Sequence, residues 1–280
     1  MMFLPKRYVL ATLAASFYLA AVSAQATLLQ ALPEFGDLGR WAAFSLGGGI
    51  SETDTIDQFT GNTYIQGDVG VAGDGNISLT GNATIDGDLY WRTNGTLSLS
   101  GNARITGARH HDAASDSILD NGVNEANSSS AHAATFASSF AYSGLTSITS
   151  SMTLSAQHDR AGNSTVLNLT DLVLTSGSIL TLNGTASDVY IINVSRSFSL
   201  TSQSRIVLSG GIAWNNVLFN VKGSGSDVTL DGQSSLMGIL MANARTVKNA
   251  GGSIVYGEVI ANKIKLSGSA QIIHPPVSSP

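Results

Sequence analysis

Short runs in which apolar and polar residues alternate dominate the chain. The two-residue period is that of strands with one buried face. From residue 61 the runs repeat. Gly61-Asn62-Thr63-Tyr64-Ile65-Gln66-Gly67-Asp68 returns as Gly81-Asn82-Ala83-Thr84-Ile85-Asp86-Gly87-Asp88 and again as Gly101-Asn102-Ala103-Arg104-Ile105-Thr106-Gly107. Ile77-Ser78-Leu79-Thr80 and Leu97-Ser98-Leu99-Ser100 repeat at the same interval, and Gly238–Asn243 is echoed by Gly257–Asn262. A unit this long, with short strands and Gly-Asn turns, is one coil of a solenoid that buries its apolar side chains only against its neighbours. The expected fold is therefore all-β, a right-handed parallel β-helix (β-solenoid).

Stacking at about 4.8 Å per coil makes specific demands. Ile65, Ile85 and Ile105 form an interior ladder, and Asn62, Asn82 and Asn102 an amide ladder at a corner. Gly67, Gly87 and Gly107 mark a corner with no room for a Cβ. From Val166 to Ile272 the alternation continues at less regular spacing. Residues 112–142 break it with alanine and helical spacing, such as Ala133, Phe136, Ala137 and Phe140. They predict one or two helices flanking the solenoid, started by an Asp112 cap, interrupted near Gly122 and stopped near Gly144.

The N-terminus reads as a signal peptide: Lys6 and Arg7, an uncharged run from Tyr8 to Val22, then Val22-Ser23-Ala24. The domain expectation is residues 1–24 as the signal, 25–273 as one solenoid and 274–280 as a proline-rich tail, which cannot continue a central strand. The predicted location is secreted or cell-surface, with no transmembrane span after signal removal.

Composition narrows the function classes. Charged residues are only 12%, cysteine is absent, and the net charge is −5. An acidic chain lacks the basic stripe that displaces phosphate counterions, so nucleic acid is not an expected partner. With no disulfides, stability has to come from the core and from hydrogen bonds. No nucleophile elbow or phosphate loop is present, so no catalytic residue, cofactor or metal is assigned.

Leu38-Gly39 with Phe44, Ile65–Val71, the helical segment, Ala186–Val194 and Leu208–Gly211 resemble the ice-binding β-solenoid family. Asn216–Val221 and Gly257–Ala261 resemble the choice-of-anchor A family of exported bacterial surface proteins, which is similar in outline. The resemblance implies a discontinuous solenoid with a helix alongside. The leading functional reading is an exported, non-enzymatic protein with a structural, adhesive or surface-binding role towards an extracellular polymer or surface. One alternative is an ice-binding protein with an ice crystal as partner; another is a carbohydrate-active β-helix enzyme.

Ice recognition needs a flat face carrying hydroxyl and methyl groups at regular spacing. Ser78, Thr80, Ser98 and Ser100 point outward on repeated strands and, with Thr84, are the candidate surface-binding residues; Arg104 would interrupt that face. Asp68 and Asp88 occupy equivalent places in successive coils and are candidates for a cation or a catalytic pair. His110, His111, Asp112, Asp116 and Asp120 form the densest set of metal-ligand types, with capping as the competing explanation for Asp112. Trp91, Trp214, Tyr64 and Tyr90 could stack on sugar rings if exposed together.

Overall fold

Each coil contributes one strand to each of three parallel ladders. The computed structural model describes residue 28 and residues 31–47, 57–74, 76–159 and 164–276, so the expected signal segment lies outside the described residues. One ladder runs from Met152–Ser155 through Ile179–Asn183, Arg205–Ser209, residues 235–237, 254–256, Gln271–Ile273, Tyr64–Gln66 and Thr84–Asp86 to Arg104–Ile105. The chain does not wind continuously from end to end. Trp41–Ser45 enters mid-stack, and the N-terminal repeats build outward from it to Arg109–His110. The chain then crosses to the far end and winds back. Its last coils close on the first at a seam, where Phe44 faces Ile260, Phe59 faces Leu266 and Ile65 faces Ile272.

The twenty-residue interval translates directly into contacts. Ile65 and Ile85 are in register and buried, and Ile105 continues the row at the end of the stack. Asn82 Nδ2 donates to Asn62 Oδ1 (2.7 Å) and Asn102 Nδ2 to Asn82 Oδ1 (3.0 Å). At the glycine corner a Cβ on Gly87 would collide with the Gly67 carbonyl, and one on Gly107 with that of Gly87.

The crossing segment is helix α1 (Ala113–Ala133), started by Asp112, whose carboxylate accepts from the Ser115 amide at 2.8 Å. It is continuous through Gly122, against the expected interruption. A Cβ there would sit 2.7 Å from Phe44 Cζ, so glycine serves close approach and not a break. It also ends well before Gly144; the rest of the expected segment includes a single 3-10 turn at Phe140–Tyr142, with Phe140 87% exposed.

What holds the helix, and stops it, is a column of asparagines from the ladder beneath. Asn243, Asn220, Asn193 and Asn168 each donate Nδ2 to a backbone carbonyl above: Ala126 (2.8 Å), Ser130 (3.0 Å), Ala133 (2.8 Å) and Phe136 (2.9 Å). Three of them also bond one another, Asn220 to Asn193 at 2.8 Å and Asn193 to Asn168 at 3.0 Å. The match is geometric. A helix advances about 5.4 Å per turn and the coils repeat at about 4.8 Å, so each rung meets roughly one helical turn.

Asn193 is fully buried, so Asn193→Ala strands three partners at once. A loss of about 2–3 kcal/mol is expected in urea unfolding, with faster amide exchange over residues 126–133. Unchanged stability would rule out the asparagine column as the clamp. Among the described residues no helix is long and apolar enough to cross a membrane.

Candidate functional site

The three ladder faces differ in what covers them and in what charge they carry. The first lies under α1 and the 3-10 segment Pro33–Arg40. Phe44, Leu218, Ile239, Met241 and Ile260 pack there against Leu119, Ala126 and Ala133 and are buried.

The second face is open and charged. Along one outward row Val173, Ser199, Thr229, Lys248 and Lys265 follow one another in register. Lys248 pairs with Asp227 at 2.6 Å, and Arg196 forks onto Asp171. Four of the candidate residues lie on this face. Ser78 and Ser98 are in register on adjacent rungs, while Thr80 and Ser100 lie just past the ends of these strands, their amides bonded to the carbonyls of Phe59 (2.9 Å) and Leu79 (3.0 Å). Their row therefore continues into lysines. Thr84 belongs to the other open face, where only 9% of it is exposed. Its rung stands between those of Tyr64 and Arg104, and its hydroxyl turns back to the Asn82 carbonyl at 3.3 Å. The five candidates thus do not share one surface.

The third face is open and, over its middle, free of charge. Two outward rows run side by side across four rungs: Ser235, Ile254, Gln271 and Tyr64 in one, Met237, Tyr256, Ile273 and Gln66 in the other. Beneath them Leu236, Val255, Ile272 and Ile65 are buried. No bulge interrupts these pairings, whereas each of the other two ladders has a register shift along its length or at its corner. All but Gln66 are half-buried, so neighbouring side chains pack flank to flank into a continuous surface.

Charge bounds this patch. Arg205 stands on the rung before Ser235, and Asp86 follows Gln66. The Tyr64 hydroxyl donates to Asp86 at 2.6 Å and Thr106 donates to the same carboxylate at 2.7 Å. These bonds hold the Asp86 carboxyl below its ordinary value and push the Tyr64 phenol up.

The remaining candidates have structural employment. Asp68 accepts from the Asp88 amide (2.9 Å), and Asp88 from the Ala108 amide (2.7 Å) and the His110 ring (3.1 Å), so each carboxylate fastens the next corner. The Ala108 bond leads in lowering the Asp88 carboxyl. Asp116 binds Thr93 through both amide and hydroxyl, and Asp120 pairs with Arg92, tying the start of α1 to the solenoid. His110 stacks on Tyr90 and His111 on Trp91, with ring centroids 4.0 and 4.4 Å apart. Among the described residues no three His, Asp or Glu side chains converge as a metal site.

Most of the uncharged patch escapes a reading based on the repeat alone. Ile254 and Gln271 come from coils of irregular length, and the seam sets them beside Tyr64 although some two hundred residues intervene. The available signal is three aligned triplets with uncharged residues at both outward positions: Ser235-Leu236-Met237, Ile254-Val255-Tyr256 and Gln271-Ile272-Ile273.

A family model described as ice-binding-like matches residues 51–271. Among solved structures, a glycosylated ice-binding protein from an Arctic yeast superposes with a TM-score of 0.62 at 19% identity, covering 88% of this chain and 95% of its own. An ice-binding protein from the Antarctic ascomycete Antarctomyces psychrotrophicus gives 0.53 at 21% identity, with 85% and 96% covered. One from an Antarctic biological consortium gives 0.53 at 18%, with 85% and 87% covered. At these identities the superpositions establish a shared fold. No curated protein sequence matches.

Proposed function

The chain belongs to the ice-binding-like family, and from that premise we propose that it is an exported protein that adsorbs to ice through its uncharged face. The observation that carries the reading is the pair of outward rows from Ser235 and Met237 to Tyr64 and Gln66, in register and without a charge. An ion keeps its own hydration shell, which the ice lattice does not accommodate, so a surface that joins the lattice must be uncharged. It must also be rigid and periodic. A parallel ladder supplies both, with a spacing of about 4.8 Å between rungs that lies close to a repeat of ice. Alkyl and aromatic flanks order the water between them, and the hydroxyl and amide groups of Ser235, Gln271, Tyr256 and Gln66 anchor it.

The family match replaces the structural, adhesive or surface-binding role expected from the hydroxyl-rich repeat; of the two resemblances, the ice-binding one is what the comparison returns. No reaction is assigned. Asp68 and Asp88, the carboxylates with the strongest claim to one, spend their oxygens on corner amides. Export rests on the basic, apolar and small-residue pattern that ends at Ala24.

The direct test is ice recrystallisation. Polycrystalline ice annealed with micromolar protein is expected to keep fine grains, while heat-denatured protein lets them coarsen. Equal coarsening with the native protein would sink the reading.

A further inference from the structure

The seam holds one acidic side chain where the ladder positions beside it are apolar. Glu258 sits in register with Ile239, beneath the 3-10 segment Pro33–Arg40, and is 1% exposed. Its Oε1 lies 3.3 Å from His274 Nε2, and its Oε2 is buried with no hydrogen-bond partner. His274 is the first residue after the last strand. Its amide donates to the Gln66 carbonyl (3.1 Å), which ties the end of the final coil to the first repeat. The ring lies edge-on to Trp214 with centroids 5.0 Å apart, in a niche left open by Gly67, where a Cβ would come within 3.1 Å of His274 Cβ. Two sequence-distant halves, the tail and a buried acid therefore meet at one point.

We propose that Glu258 and His274 form a proton-gated latch that holds the last strand and His274 on the seam in weakly acidic solution and loosens them as the solution becomes neutral to alkaline. The charge around Glu258 comes from His274 alone. In the overlying segment Glu34 is engaged on His132, Arg40 lies over Trp41 and Tyr90, and Asp37 stands beside Glu125, to which its backbone amide donates. The strands beside Glu258 present Ile239 and residues 41–45, and the neighbouring turn presents Trp214; none of these titrates.

Desolvation raises the Glu258 carboxyl from 4.5 to about 7, against a smaller lowering by His274. With the latch closed the acid takes up a proton below that value. Opening admits water and returns the acid towards its ordinary range. The closed state therefore binds more protons between roughly pH 4.5 and 7, and opening grows more favourable as pH rises through that window. Between pH 6 and 8.5 the opening equilibrium shifts by about tenfold.

Amide exchange of the intact protein reads this directly. Protection of His274 and of Gln271–Ile273, corrected for the intrinsic base catalysis of exchange, is expected to fall about tenfold from pH 6 to pH 8.5. Residues 189–194, far from the seam, should keep theirs. Glu258→Gln keeps the shape without the charge and should make protection at the seam independent of pH. His274→Ala should leave it low throughout. A wild-type profile that is flat with pH overturns the latch, and so does a fall that persists in Glu258→Gln. The wild-type series decides the matter even if a variant fails to fold. None of these readings involves ice.

Discussion

A single lysine at Ile273 or Tyr256 is expected to remove most of the thermal hysteresis, by more than an order of magnitude, while a lysine at Ser78 or Ser98 leaves it near the wild-type level. The reasoning rests on position, not on bulk. Ile273 and Tyr256 are adjacent in one outward row, with Met237 before them and Gln66 after. Their side chains stand half out of the sheet, so the ladder beneath does not depend on their identity. Surface changes of this kind alter stability by about 0.5 kcal/mol or less. An ammonium at the centre of the patch brings a hydration shell that spans the neighbouring rungs, and planar contact with the lattice fails. Ser78 and Ser98 lie on the face that already carries Lys248, Lys265 and Arg196. One more cation there changes nothing that touches ice. Nanolitre osmometry with unchanged melting curves separates the effects. Equal losses on both faces would mean that the wrong ladder has been assigned.

The largest loss of stability is expected from Arg245→Met. Arg245 is 2% exposed and reaches carbonyls on two neighbouring coils. It donates to Ser195 (3.0 Å), Lys222 (2.7 Å), Gly223 (2.9 Å) and Ser226 (3.4 Å), and also to Arg196. No carboxylate is among these partners, so the buried cation is satisfied by peptide dipoles alone. Burial lowers its pKa, but a guanidinium starts so high that it stays charged. Methionine keeps much of the apolar stem and removes every donor. The carbonyls are then left facing inward, each unmet one costing about 1–3 kcal/mol, offset where water reaches the corner. A net loss of about 3–5 kcal/mol is expected in urea unfolding. Arg245→Lys should recover only part of it, because one ammonium cannot serve a fork of carbonyls. A loss under about 1 kcal/mol for methionine would show that the corner is held by something else.

What could be read from the chain follows from how regular the chain is. The Ile65, Ile85 and Ile105 row, the Asn62, Asn82 and Asn102 ladder and the crowded Gly87 and Gly107 corner all come from one strict interval, and stacking converts that interval into contact. Helix α1 was legible in kind and in its Asp112 start. Its end was not, because Asn168, Asn193 and Asn220 on distant strands set it. The face proposed to meet ice was harder still. Ser78 and Ser98 repeat visibly, yet their face acquires lysines only where irregular coils join the ladder. Ile254, Gln271 and Tyr64 share a row only because the chain closes on itself at the seam. The strings that resemble surface proteins, Asn216–Val221 and Gly257–Ala261, are strands packed under α1 and its neighbours. Their pattern therefore reports packing more than partner.

The assignment of ice binding to one face is tested most directly by growing a single ice hemisphere slowly from a solution of fluorescently labelled protein and measuring how label divides between ice and melt. The wild-type protein should concentrate in the ice, the Ser98→Lys protein should accompany it, and the Ile273→Lys protein should stay in the liquid. Wild-type protein swept into the melt, or Ile273→Lys protein captured as fully as wild type, would contradict the account.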